Sequence, residues 1–176
     1  MSTKYFRYVP WALAGLVVIM SITAWSQVRL TGRPLTAYDF FPILGLIAFG
    51  LMWTFYVLGA LRTYFDQDQA LLATYFKVTG AAVLALIVLH PGIFLTKLWL
   101  DGFGLPPSSY LQVYTTPAQQ LALMLASLSL VAFLLYEFHR KFAKKSWWKY
   151  VNYANTAAMF AIFYHALTLG SELSLA

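Results

Sequence analysis

Residues 78–96 read VTGAAVLALIVLHPGIFLT, 19 positions without a charge between Lys77 and Lys97. As a helix such a stretch rises about 28 Å, close to the ~30 Å hydrocarbon core of a bilayer. Four further stretches have the same character, and the set predicts spans at about residues 8–28, 40–61, 78–97, 118–137 and 150–171. The long uncharged tract 102–136 is cut by Pro106, Pro107, Ser108, Ser109, Thr115, Thr116 and Pro117, a loop signature ahead of the fourth span. Hydrophobic residues make up 61% of the chain and charged ones 10%, a balance that excludes a water-soluble domain of 176 residues. The expected fold is therefore an all-α integral membrane protein, a five-helix transmembrane bundle forming one domain over 1–176.

Basic residues set the expected orientation. The N-terminus and the second and fourth connections carry Lys4, Arg7, Arg62, Lys77, Arg140, Lys141, Lys144, Lys145 and Lys149. The first and third connections carry only Arg29, Arg33 and Lys97, and acidic residues divide evenly between the two sides. The positive-inside rule then puts the N-terminus in the cytoplasm and the C-terminus outside, in an inner (plasma) membrane. Trp11, Trp25, Trp99, Trp147 and Trp148 fall near span ends, as interfacial aromatics do. The net charge of +6 is thus a matter of topology and of contact with lipid, with no nucleic-acid partner implied.

The first apolar run is longer than a signal-peptide core, and Trp25-Ser26-Gln27 is a poor cleavage site, so it reads as a retained span. With no cysteine in the chain, disulfides, iron–sulfur clusters and thiolate-held haem are excluded. No inverted half is visible, which argues against an inverted-repeat transporter.

Two of the three histidines, His90 and His165, lie inside apolar spans. An intramembrane polar group is costly to bury and points to function. Each lies seven residues before the next charge, Lys97 and Glu172. Spans three and five run the same way, so the two imidazoles are expected at matched depth, roughly 10 Å below the outer edge. Two facing imidazoles are a usual means of holding b-type haem. The face of His90 includes Leu86, Ile87, Phe94 and Lys97, and that of His165 the small Ala158, Ala161 and Thr168. Pro91 removes a helical hydrogen bond beside His90. The same histidines would also serve as plain interhelical hydrogen-bonding groups. No Asp or Glu lies within a span to complete a bare-ion site. His139, in Glu137-Phe138-His139-Arg140, sits at a span end and needs no special role. Three histidines cannot furnish two bis-histidine haems.

With these residues placed, the chain resembles the ferric reductase-like transmembrane domain superfamily, which includes the haem-binding membrane subunit of the periplasmic methionine sulfoxide reductase system. The likeness runs through Thr31-Gly32-Arg33, Leu44-Gly45-Leu46, Ala60-Leu61-Arg62, the third span with His90, Leu98-Trp99-Leu100-Asp101-Gly102 and Tyr110-Leu111. Its best part is residues 145–152, KSWWKYVN, with His165 13 positions after Asn152. Family members with two haems have histidines where this chain has Phe76 and Asn152, so the inner ligand pair is missing while the outer pair, His90 and His165, is kept.

What the resemblance implies is a b-type cytochrome with one haem b per chain in the outer leaflet. His90 and His165 are its expected axial iron ligands. Lys97, Arg29 and Arg33 are candidate partners of the haem propionates, although the arginines serve equally as interfacial anchors. A lone outer haem would take electrons from a membrane quinol or from a redox partner protein near the outer face, as an electron-transfer subunit or as a haem-dependent reductase. The other reading is a non-redox membrane subunit or scaffold that keeps the fold without cofactor.

Overall fold

The computed structural model describes residues 3–30, 34–138 and 142–170. Described residues are overwhelmingly helical and include no strand. The helices are α1 (Thr3–Phe6), α2 (Val9–Arg29), α3 (Ala37–Tyr64), α4 (Ala73–Leu100), α5 (Ser108–Val113), α6 (Pro117–Tyr136) and α7 (Trp148–Leu169), with a 3₁₀ turn at Gln69–Leu72 leading into α4. The chain forms two compact units that divide between Phe94 and Leu95, within α4.

In the first unit, each helix start is written in the sequence. Pro10 occupies the first turn of α2, where a missing N–H costs nothing. At the head of α3 the Asp39 carboxylate accepts from the Thr36 N–H at 2.8 Å and the Thr36 hydroxyl at 2.9 Å. Asp39 is buried and also faces Arg29 at 3.8 Å, which ties the end of α2 to the start of α3. Farther along, α2 approaches α3 at Gly50, where a Cβ would stand 2.5 Å from Val17 Cγ1. Asp68 caps the 3₁₀ turn by accepting from Ala70 N–H at 2.9 Å. The short link from α3 makes α4 antiparallel to it, and Phe6, Leu58, Leu72 and Tyr75 close the core at that end. The Tyr75 and Thr54 hydroxyls meet there at 2.6 Å, so the buried phenol is satisfied.

The second unit is built on α6 and α7. Thr116 and Gln119 cap α6 reciprocally, with Gln119 N–H donating to Thr116 Oγ1 at 3.3 Å. α6 and α7 pack antiparallel along small residues. The Ser129 hydroxyl lies 3.3 Å from the Ala158 carbonyl, and Ala122 and Ala158 are buried. Where a plain loop is expected ahead of the fourth span, Ser108–Val113 forms the short helix α5.

Among the described residues, four helices are long and apolar enough to cross a membrane: Val9–Arg29, Ala37–Tyr64, Gln69–Leu100 and Pro117–Tyr136. Only 11–28% of the residues in their apolar windows are buried within the protein, so most of their apolar surface faces outward, as it must in lipid. The protein is an all-α, multi-pass membrane protein. The third helix begins well before the expected residue 78, because Lys77 is an exposed position within α4 and not its boundary. A long cationic side chain reaches the interface without ending the helix. The fifth expected span coincides with α7, a helix of 22 residues whose apolar content is diluted by Asn152, Asn155, His165 and its tyrosines.

Candidate functional site

His90 sits on α4, in the first unit, and α3 orients its ring. Nδ1 lies 2.7 Å from the Phe41 carbonyl oxygen. A carbonyl only accepts, so Nδ1 carries the proton and Nε2 of the neutral ring holds the lone pair. The Phe41 ring packs on the imidazole with centroids 5.3 Å apart, and Phe94 packs on Phe41 at 4.8 Å. Gly45 makes this approach feasible: a Cβ there would stand 2.7 Å from His90 Cε1 and 2.8 Å from Nδ1. It also falls four residues after Phe41, the position whose side chain would shield that carbonyl.

The second unit repeats the device. His165 on α7 has Nδ1 3.2 Å from the Ala122 carbonyl oxygen of α6. Four residues after Ala122 comes Ala126, again small. Both imidazoles are half-buried, and each lies 17 positions beyond the first residue of its helix. Each ring is thus held by a backbone acceptor at Nδ1, and in its neutral form presents Nε2 as the donor atom, the usual arrangement of a metal-ligating histidine. Such a donor suits iron in a macrocycle, which needs only axial ligands from the protein. Among the described residues no group of three or more His, Cys, Asp or Glu gathers to hold a bare ion.

The cationic candidates already face carboxylates. Arg29 pairs with Asp39 at 3.8 Å, and Lys97 pairs with Asp101, four residues on and just past the end of α4. Arg33 and His139 lie outside the described residues. Of the small residues expected to leave room beside His165, Ala158 is taken up in the contact with Ser129. Phe76 packs edge-on against Phe55 at 5.4 Å, within the core that surrounds Tyr75. Asn152 is exposed, and its carbonyl accepts from Thr156 Oγ1 at 3.1 Å.

Sequence reasoning missed the Arg29–Asp39 pair and the Thr54–Tyr75 hydroxyl pair. The first had a signal in the Thr36…Asp39 capping spacing. The second had none, since a Thr and a Tyr 21 residues apart carry no mutual pattern. Comparison with family models, curated proteins and solved structures finds no match to the chain.

Proposed function

We propose that the chain is a membrane b-type cytochrome of ferric reductase-like type, with His90 and His165 as the axial ligands of a single haem b. The observation that carries this reading is the repeated device: in each unit a histidine on an apolar helix gives its Nδ1–H to a backbone carbonyl of the neighbouring helix. When bound, the haem supplies one-electron exchange. The protein's part is to present two Nε2 lone pairs in fixed orientation and to keep water from the iron. One haem is favoured over two because Phe76, partly buried, is engaged in aromatic packing and Asn152 stands where the other inner histidine would be.

In this reading α7 crosses as a fifth span, the N-terminus is cytoplasmic and the C-terminus lies outside the inner (plasma) membrane. The polar content of α7 is then that of a cofactor helix. Electrons would arrive from a membrane quinol or a redox partner protein near the outer face. Lys97, Arg29 and Arg33 remain the candidate propionate partners, the first two sharing their charge with Asp101 and Asp39.

The test is a visible spectrum of the purified protein with and without dithionite. A low-spin b-type spectrum with one haem per chain by pyridine haemochrome is the expected result. His90→Ala and His165→Ala should each abolish the low-spin form, and His139→Ala should leave it intact. A second reading, a scaffold without cofactor, is favoured by the fact that a carbonyl-bonded histidine also pins two helices together. A folded but colourless protein, unchanged when expressed with excess haem, would establish it over the cytochrome.

A further inference from the structure

We propose that the segment from Phe142 to Tyr150, leading into α7, is a binding site for anionic phospholipid headgroups, built from Lys144, Lys145 and Lys149 on an aromatic base. The site stands independently of any cofactor. Its position follows from length: α6 has 20 residues, Pro117–Tyr136, which at 1.5 Å each rise about 30 Å and use up the hydrocarbon thickness. Trp148, packed on Tyr136 at the end of α6, and the described residues beside it therefore lie at headgroup level.

Residues 142–148 are tightly turned. Lys145 N–H donates to the Phe142 carbonyl at 2.9 Å and Trp148 N–H to the Lys145 carbonyl at 3.0 Å. Trp148 is buried and stacks toward Tyr136 with centroids 6.1 Å apart, which fixes the turn to α6. Trp147 is exposed and packs on Phe142 and Trp148, each at 5.6 Å. Indoles in this arrangement are interfacial anchors. Lys149 Nζ lies 5.2 Å from the Tyr150 ring centroid, so its charge is held against an aromatic face.

Charge complementarity identifies the occupant. All three lysines are exposed, and among the described residues none pairs with a carboxylate. A merely solvated basic loop has no need of a packed aromatic floor at bilayer depth. Three cations at the headgroup layer attract anions there, and an anionic phospholipid supplies a phosphate for the ammonium groups and acyl chains for Trp147 and Phe138.

The test uses the full chain, delipidated in non-ionic detergent, with fluorescent phosphatidylglycerol and phosphatidylcholine as probes. Phosphatidylglycerol should bind more tightly, weaken with added salt, and lose about fivefold in affinity per lysine replaced in Lys144→Gln, Lys145→Gln and Lys149→Gln. The triple Lys→Arg variant should bind as wild type does, and it serves as the control for folding. Equal binding of the two lipids, or a triple Gln variant with unchanged preference, would overturn the proposal. So would displacement of the lipid by millimolar inorganic phosphate, which would mark a site for soluble anions.

Discussion

Gly45 is the residue on which the placement of His90 turns. Any side chain there meets the imidazole below van der Waals distance, and the ring also packs against Phe41. Gly45→Ala should therefore destabilise the protein by about 1–3 kcal/mol, the usual cost of overpacking. In haem-loaded protein it should also perturb the low-spin spectrum, while Gly59→Ala, with open space around its Cβ, should do neither. Thermal unfolding in detergent and the Soret band measure the two effects. The Thr54–Tyr75 pair makes a separate prediction. Tyr75→Phe leaves the Thr54 hydroxyl its bond to the Leu51 carbonyl at 2.7 Å, so the loss should be near 1 kcal/mol. Adding Thr54→Val should cost little more, and a strictly additive double mutant would show that the two hydroxyls do not interact.

The seam between α6 and α7 depends on small side chains. Ala158→Leu places extra volume where the Ser129 hydroxyl meets the helix backbone, and the strain should reach His165, two turns along the same helix. A loss of about 1–3 kcal/mol is expected, larger than for Ala157→Leu on an exposed position. Outside the spans, burial pushes the phenols of Tyr110 and Tyr114 up, and the neighbouring Tyr110 raises Tyr114 further. A raised folded pKa gives stability that is present below about pH 10, the unfolded tyrosine value, and is lost as pH rises through the folded pKa. Tyr110→Phe and Tyr114→Phe should therefore flatten the alkaline limb of a stability–pH curve. Helix existence was legible in the apolar runs, because length and hydropathy are local properties. Helix ends were less so: Lys77 and Arg62 look like boundaries in the sequence, yet both lie within helices, since their flexible stems carry charge away from the backbone axis.

For the whole chain, the number of crossings decides the side on which it ends. With α7 as a fifth span the two termini lie on opposite faces, and with four spans they share one. A reporter fused after Ala176 should be active only outside the cytoplasm, and cytoplasmic activity there would remove the fifth span together with the depth match between His90 and His165. The histidines themselves were legible as polar groups in apolar runs. Their acceptors were not, because a backbone carbonyl leaves no mark in a sequence and any residue can supply one. That anonymity has an evolutionary consequence. A substitution at Phe41 or Ala122 leaves the carbonyl itself in the chain, so the aim of each imidazole is kept by the path and packing of the neighbouring helix and not by the identity of the residue that supplies the acceptor. Related chains built this way would be recognised by where two backbone carbonyls fall, with no residue type to mark them.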